Sequence, residues 1–138
     1  MKKFLSMMLV IASIVCLSSC SEDDGEMNPY AGTKWSKSYD SLSGWYDSYM
    51  YVLEFTDTDF SYYEADVYGG YKSGMTQGKY TYVGNKIMIN NVRMNTYWSI
   101  DYYITGATVS GNVLTLNYYW VSEDGVRYDK TMIMSKRN

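Results

Sequence analysis

Residues 79–90 read Lys-Tyr-Thr-Tyr-Val-Gly-Asn-Lys-Ile-Met-Ile-Asn, and residues 108–117 follow the same design as Thr-Val-Ser-Gly-Asn-Val-Leu-Thr-Leu-Asn. In both segments, apolar and polar residues alternate on either side of a Gly-Asn pair. Such alternation predicts half-buried strands, and a Gly-Asn connection of two residues favours a tight hairpin. The first turn residues, Gly84 and Gly111, lie 27 positions apart. Duplication and independent selection of good turn residues both explain this repeat.

The same alternation continues through most of the chain after Gly32, and turn residues interrupt it at fairly regular intervals. This pattern predicts an all-β domain. Counting from Thr33 gives about eight antiparallel strands, and eight strands in up-and-down order close most economically as a barrel. The main predicted strands cover residues 49–55, 60–67, 79–83, 86–90, 97–104, 108–110, 113–117 and 127–135, the last after a turn at Asp124-Gly125.

Large apolar side chains occupy alternate positions of these strands and predict the interior of the barrel. An eight-stranded barrel is wide enough either to be filled by side chains or to hold one small ligand. Both possibilities remain open from the sequence. The predicted interior consists of Tyr51, Leu53, Phe55, Tyr80, Tyr82, Trp98, Ile100, Tyr102, Leu114, Leu116, Tyr118 and Trp120. Eight of these are the candidate ligand-binding residues: Tyr51, Phe55, Tyr80, Tyr82, Trp98, Tyr102, Tyr118 and Trp120.

Composition excludes several classes of function. The chain has no histidine, and its two cysteines, Cys16 and Cys20, both lie near the N-terminus. Catalysis by Ser-His-Asp or Cys-His groups and the usual zinc ligands are therefore excluded, and we expect no enzyme activity, cofactor or metal. Without the two lysines of residues 1–19 and the four acids of residues 20–30, 10 of the 12 basic and 11 of the 15 acidic residues remain. This balance lacks the basic surface that nucleic-acid binding requires.

Carboxylates offer only weak candidates for chemistry. Glu64 and Asp66 lie two apart on one strand face, at a spacing of roughly 6.5–7 Å that would suit an inverting glycosidase, but a solvated face explains them more simply. Asp57 and Asp59 with Glu64 resemble part of a calcium loop that lacks its glycine. The sequence Asp-Ser-Leu at residues 40–42 looks like the short O-glycosylation signal of exported Bacteroidota proteins.

The N-terminus has the order of a secretory signal. Residues 1–3 are Met-Lys-Lys, residues 4–17 form an apolar run, and small residues follow. The run is shorter than the roughly 20 residues of a membrane span, so we expect residues 1–19 to be removed as a signal peptide. The sequence Leu-Ser-Ser-Cys at residues 17–20 resembles the bacterial lipobox. That resemblance implies that lipid, including palmitate, is attached at Cys20 and anchors the protein in a membrane; an ordinary secreted protein is the alternative.

Residues 20–30 predict an extended tether between the anchor and the domain. Four of the six residues from Ser21 to Glu26 are acidic and none is apolar, so this segment cannot offset its ordering entropy by burying surface. It is similar to the acidic export signal of surface-exposed Bacteroidota lipoproteins. The similarity implies a position on the cell surface, in the outer leaflet of the outer membrane. A plain spacer on a periplasm-facing lipoprotein is the alternative.

Residues 31–138 resemble the lipocalin-like domains of Bacteroidota lipoproteins. The resemblance depends on Gly-Thr-Lys-Trp at residues 32–35, Gly-Lys-Tyr-Thr-Tyr at 78–82 and Leu-Thr-Leu at 114–116. It implies a lipocalin-like barrel with Trp35 near its floor, although the spacing here is Gly-x-x-Trp where lipocalins have Gly-x-Trp. It also implies a basic residue packed over Trp35, for which Arg127 and Arg137 are the two candidates.

Two functions fit these observations. The first is a surface-anchored binding module for a small apolar ligand or a glycan, held among the interior aromatics. The second is a protein-interaction or accessory subunit of an outer-membrane assembly. In the second, outward tyrosines make the contact, since tyrosine suits interfaces as well as cores. These outward residues are predicted to be Tyr62, Tyr97, Tyr103 and Tyr119.

Overall fold

The computed structural model describes residues 27–38, 49–66, 68, 72–95 and 100–138. Within these ranges the chain forms one antiparallel sheet of nine strands. The described residues include no helix with the length and apolar character that crossing a bilayer requires. The predicted all-β, antiparallel fold class is confirmed, while the structure has nine strands rather than about eight.

The strands follow one another along the chain with short turns between most of them. They are β1 Lys34–Ser38, β2 Tyr49–Phe55, β3 Asp59–Asp66, β4 Lys72–Lys79, β5 Thr81–Val83, β6 Lys86–Arg93, β7 Tyr102–Ser110, β8 Val113–Val121 and β9 Arg127–Arg137. Their order in the sheet is β4-β3-β2-β1-β9-β8-β7-β6-β5. Every neighbour is consecutive in sequence except β1, which pairs with β9 and joins the two halves of the sheet.

The sheet is curled, and its two edge strands are adjacent in sequence. Only Tyr80 separates β4 from β5, yet β4 pairs with β3 and β5 pairs with β6. Beyond this break, the backbone N–H of Asn95 donates to the hydroxyl of Thr76 at 2.6 Å. Gly78 lies so close to Val92 that a Cβ on Gly78 would approach within 2.9 Å of it. The predicted single strand 79–83 is therefore interrupted at Tyr80, and residues 72–78 of β4 were not predicted as a strand.

Both Gly-Asn hairpins are confirmed. Val83 pairs with Lys86 and Ser110 pairs with Val113, so each turn has two residues. Gly84 and Gly111 both have a φ of 58°, a left-handed conformation at the first turn position. Glycine adopts this conformation without the steric cost that a Cβ would add, which explains why the turn begins with glycine in both hairpins.

The start of β7 differs from the prediction. Residues 97–104 were expected to form one strand and residues 108–110 another, but a single strand runs from Tyr102 to Ser110. A bulge at Thr105, followed by Gly106, lets this strand bend without ending. Ile100, expected in the interior, precedes the strand and is 37% exposed.

Two apolar clusters lie on opposite faces of the sheet. The larger fills the concave face, and its centre contains fully buried aliphatic side chains: Leu53, Ile104, Leu114, Leu116 and Met134. The smaller lies behind β2 and β3 and consists of Met50, Val52, Tyr63 and Ala65. Strand β3 is therefore buried on both faces, with Phe60 and Tyr62 on one and Tyr63 and Ala65 on the other.

One end of the sheet, which we call the base, holds the turn at residues 28–33 and the turns at 56–58, 84–85 and 111–112. Trp35 lies there and is 2% exposed, and its indole N–H donates to the hydroxyl of Thr33 at 3.0 Å. The ammonium of Lys136 lies 6.0 Å from the centre of the indole ring. The basic partner of Trp35 is thus Lys136, and the prediction of Arg127 or Arg137 was wrong. The reason is register, since β9 pairs Lys136 directly opposite Trp35.

Candidate functional site

The opposite end of the sheet, which we call the rim, contains a cavity of about 150 Å³ on the concave face. This volume equals about five water molecules at roughly 30 Å³ each. The cavity is partly open to solvent and is lined by four tyrosines, two methionines and three polar or small residues. They are Tyr51, Tyr62, Glu64, Gly74, Met94, Asn95, Tyr102, Tyr118 and Met132.

The hairpin of β2 and β3 builds one wall of the cavity. A short turn pairs Phe55 with Phe60, and this register places Tyr51 opposite Glu64. Paired residues of antiparallel strands share a face, so Glu64 lies on the concave face beside Tyr51. Tyr62 occupies the same face, and its ring stacks on that of Tyr51 with centres 6.0 Å apart and planes 14° apart.

Strands β7, β8 and β9 build the facing wall. Tyr102 and Tyr118 pack edge to face with ring centres 5.9 Å apart, and Met132 lies below them. Burial raises the pKa of the Tyr118 phenol, and the neighbouring phenols of Tyr102 and Tyr51 raise it further. Tyr51 and Tyr118 line the same cavity from its two walls.

Polar groups enter the cavity where β4 meets the segment after β6. Gly74 has a φ of 61°, and a Cβ there would lie 2.9 Å from the carbonyl oxygen of Asn95. Only glycine allows this approach, which brings Asn95 into the lining. Glu64 supplies the single charged side chain among the lining residues that the structure describes. The cavity therefore combines aromatic faces, phenol hydroxyls, one amide and one carboxylate.

The structure separates the eight predicted ligand-binding residues into different places. Three of them line the cavity: Tyr51, Tyr102 and Tyr118. Three lie at or near the base instead: Phe55, Tyr80 and Tyr82. Trp120 stacks on Tyr128 with ring centres 4.5 Å apart, outside the cavity lining. Trp98 lies outside the described residues, as do Tyr97, Cys20 and the Asp-Ser-Leu sequence at 40–42.

The aromatics at the base pack against each other rather than around a space. Phe55 and Tyr80 meet edge to face at 4.9 Å, and Tyr82 meets Tyr30 at 5.3 Å. The phenol of Tyr80 donates to the carbonyl of Thr56 at 2.5 Å. Tyr80 is buried with its hydroxyl satisfied, so these contacts hold the base together. Tyr80 also borders a wider, open pocket of about 360 Å³ between β5 and β6, which none of the other predicted ligand-binding residues lines.

Several cavity residues were not predicted. Tyr62 was expected to face outward, but it is 4% exposed and lies on the concave face. Glu64 was assigned to a solvated face, whereas it lines the cavity. Alternation could not separate the two faces of β3 because both are buried. The hairpin register, which fixes Glu64 opposite Tyr51, is the signal that could have found both residues.

The carboxylates suggested as a calcium loop do not converge. Asp59 forms an ion pair with Lys79 at 2.7 Å, and the hydrogen bond from that ammonium lowers the pKa of the Asp59 carboxyl. Glu64 lies farther along β3, in the cavity. The described residues include no group of three or more carboxylate, histidine or cysteine side chains placed to hold a metal ion.

A second group of aromatic residues lies on the convex face and includes Tyr103 and Tyr119. Both were predicted to face outward. Their rings stack with centres 5.3 Å apart, and the guanidinium of Arg127 lies 3.8 Å from the centre of the Tyr119 ring. Arg127 also forms an ion pair with Asp129 at 2.9 Å. Both tyrosines are partly exposed. We call this group the convex tyrosine patch.

We expect buried tyrosines to limit the stability of the fold at alkaline pH. Burial, followed by a hydrogen bond to Glu54, raises the pKa of Tyr63, and burial also raises the pKa of Tyr30, Tyr80 and Tyr118. Unfolded tyrosines ionise near pH 10, roughly, whereas these four keep their protons when folded. The stability that they contribute is complete below about pH 10 and is lost as the pH rises above it.

Ultraviolet absorbance of tyrosinate, followed together with circular dichroism, measures this effect. One fraction of the 17 tyrosines should ionise near pH 10 and the rest only as the fold is lost. Replacing Tyr63 by Phe should remove one late-ionising group, because burial raises the pKa of that phenol. Titration of all tyrosines together with the fold intact would contradict the expectation.

No protein-family model, curated protein or solved structure matches the chain. The functional conclusion therefore depends on the cavity at the rim and on the convex tyrosine patch.

Proposed function

We propose that this chain is a lipid-anchored domain of an outer membrane that binds a small apolar ligand or a glycan fragment and performs no catalysis. The observation that carries the proposal is the cavity of about 150 Å³ with four tyrosines in its lining. Tyrosine offers an apolar ring face together with a polar tip, a combination that suits both classes of ligand. Binding sites of this kind are concave, mostly apolar and supplied with a few polar groups.

We further propose that the curled sheet acts as a closed, lipocalin-like up-and-down barrel. In this interpretation β4 and β5 are one strand that bends at Tyr80 and passes from β3 to β6. The hydrogen bond between Asn95 and Thr76 and the close approach of Gly78 to Val92 support it, because they join β4 to the end of β6. A barrel of eight such strands has room for one small ligand.

The volume of the cavity limits the ligand to about one ring. Sites for drug-sized molecules measure about 300–1,000 Å³, and the volume of this cavity, about 150 Å³, is about half the lower end of that range. An apolar protein cavity of similar size holds one benzene molecule. A glycan or a longer ligand would therefore place one ring or end group in the cavity and leave the remainder outside.

Replacing a wall tyrosine tests the proposal. We expect Tyr118→Ala to weaken the binding of phenol and of glucose, used as one-ring probes, by roughly three- to tenfold. The reason is that a packed aromatic contact contributes about 0.5–1.5 kcal/mol. Ligand-detected NMR titration measures the two affinities. The matched control is Tyr119→Ala, since Tyr119 is the next residue along β8 and faces the convex side.

Two results would refute this function. One is that neither probe binds the wild-type domain. The other is that Tyr119→Ala weakens binding as much as Tyr118→Ala does, since the convex face would then be the site or the fold would have been damaged. Thermal unfolding of both variants separates damage to the fold from loss of the cavity wall.

The location of the domain is also a proposal, and it depends on Cys20. We expect labelling with radioactive palmitate in the native host to be lost in Cys20→Ala and retained in Cys16→Ala, because only Cys20 ends the lipobox-like sequence. A labelled Cys20→Ala protein would overturn the lipid anchor. Protease treatment of intact cells then distinguishes an outward-facing from a periplasm-facing domain.

The convex tyrosine patch supports a second candidate, an accessory subunit of an outer-membrane assembly. Tyrosine and arginine are enriched at the centres of protein interfaces, and here Tyr103, Tyr119 and Arg127 pack together on the surface. In this case Tyr119→Ala would abolish cross-linking to a partner in cells while leaving the binding of the one-ring probes unchanged.

A further inference from the structure

The Glu64 carboxylate has no cation beside it among the described residues, unlike the carboxylates of Glu54, Asp59 and Asp129. Glu54 pairs with Lys34 at 2.6 Å, Asp59 with Lys79 at 2.7 Å and Asp129 with Arg127 at 2.9 Å. Within the part of the chain that the structure describes, the Glu64 carboxylate forms no ion pair and no side-chain hydrogen bond. The side chain is half-buried and lines the cavity, so a cation that enters the cavity can pair with it.

The walls around Glu64 are suited to the same kind of ligand. Tyr51 and Tyr62 lie beside Glu64 on the same wall of the cavity, and Tyr102 and Tyr118 form the facing wall. The face of a tyrosine ring carries partial negative charge and attracts a cation within about 6 Å of its centre. No lysine or arginine is among the described lining residues.

The size and apolar character of the cavity restrict the cation. Met94 and Met132 complete the lining with polarizable thioethers, which suit methyl groups better than a strongly hydrated ion. A volume of about 150 Å³ accommodates a compact, branched group and excludes a large molecule. A methylated ammonium group fits both restrictions, because its charge is spread over an apolar surface.

We propose that the cavity binds the quaternary ammonium group of a small molecule or lipid head group. Glu64 neutralises its charge, and the faces of Tyr51, Tyr62, Tyr102 and Tyr118 enclose its methyl groups. This inference rests on the proposed function, since it assigns a ligand class to the same cavity. The shared chemistry is that of choline, whether free or carried by a phospholipid.

Matched ligands test the contribution of charge. We expect choline and tetramethylammonium to bind the purified domain, and neohexyl alcohol, the neutral carbon isostere of choline, to bind at least about tenfold more weakly. Isothermal titration calorimetry measures all three affinities. Choline affinity should also fall as sodium chloride is raised, while that of the isostere should not, because salt screens only the charged pair.

Matched variants test whether the charge of Glu64 contributes to choline binding. Glu64→Gln keeps the shape of the side chain and should lower choline affinity by about tenfold or more without changing that of the isostere. Asp129→Asn removes the same charge from the convex face and should change neither. Lys130 pairs opposite Tyr118 and is exposed on the cavity side of β9, so Lys130→Gln should raise choline affinity by about twofold through the loss of a repulsive charge.

A second variant keeps the inference testable if Glu64→Gln does not fold. Tyr102→Leu removes a ring face but retains apolar bulk, and it should weaken choline binding more than isostere binding. Vesicles distinguish the two sources of the ligand. Sedimentation with phosphatidylcholine vesicles, but not with phosphatidylglycerol vesicles, and its loss in Glu64→Gln would assign a lipid head group. Binding of free choline without vesicle binding would assign a small molecule.

The outcomes also separate this inference from the proposed function. Equal affinities for choline and its isostere, unchanged in Glu64→Gln, would overturn the assignment of a cation and leave a cavity for apolar ligands. Failure of choline, the isostere, phenol and glucose to bind would overturn both.

Discussion

Gly106→Ala is expected to destabilise the domain by about 2–6 kcal/mol, out of a typical total of about 5–15 kcal/mol. A Cβ at this position would collide with the backbone carbonyl oxygen of Ile87, and the φ of Gly106 is 157°. A carbonyl in a paired strand cannot turn away as a side chain can. The substitution must therefore separate β6 from β7 or strain both, and urea unfolding followed by circular dichroism measures the cost.

Gly84→Ala is the matched control. Gly84 has a left-handed φ of 58°, but no atom lies within 4 Å of the position that its Cβ would take. Alanine there adds only the backbone strain of about 1–2 kcal/mol. If both variants lowered the free energy of unfolding by the same amount, the collision with Ile87 would not be the cause of the destabilisation of Gly106→Ala. That result would contradict the close approach of β6 to β7 at Gly106.

Trp35→Ala is expected to cost about 3–5 kcal/mol, the usual range for removing a large aromatic from a core. Trp35 is 2% exposed, and it lies at the base between β2 and β9. Its removal would leave a cavity at the base and remove the hydrogen bond that the Thr33 hydroxyl accepts from the indole, while that hydroxyl would still donate to the carbonyl of Tyr30. Guanidinium unfolding measures the change.

Trp120→Ala is the control for this substitution. Trp120 is partly exposed and stacks on Tyr128 near the rim. Loss of that stacking should cost only about 0.5–1.5 kcal/mol beyond the area that it buries. Equal effects of the two tryptophans would contradict the assignment of Trp35 to the core. A Trp35→Ala domain as stable as the wild type would contradict it more strongly.

Features determined by a few neighbouring residues could be predicted from the sequence. The Gly-Asn hairpins, the turn at Asp124-Gly125 and the strand from Tyr49 to Phe55 were found because turn residues and alternation act locally. The turn prediction at Gly125 is confirmed by its φ of 80°. The all-β class followed from the repetition of such elements.

Alternation alone could not predict which of the two apolar clusters each face of a strand contacts. In β3, Tyr62 and Tyr63 are both buried, at 4% and 2% exposure, on opposite faces. A strand buried on two sides has no polar face to mark the outside. The consequence was that Tyr62 and Glu64 were assigned to solvent.

The position of each residue along the length of the sheet, between base and rim, could not be predicted either. Alternation placed Phe55 and Tyr51 on the same face, which the structure confirms, but only Tyr51 lines the cavity. The difference depends on Tyr30, which packs against Phe55 at the base from a segment before the first strand. Contacts between residues so far apart in sequence arise from the tertiary fold and leave no local periodicity.

The turn at residues 28–33 has a consequence for how the domain stands on a membrane. The phenol of Tyr30 donates to the carbonyl of Gly84, which fixes the incoming chain at the base. Tyr51 and Phe55 lie four residues apart on β2, so the cavity is about 13 Å farther up the sheet. Seven Cα–Cα steps separate Cys20 from Met27, and they reach at most about 25 Å. With lipid at Cys20, as proposed, the base would stay near the bilayer and the mouth of the cavity would point away from it, toward ligands arriving from the surrounding medium.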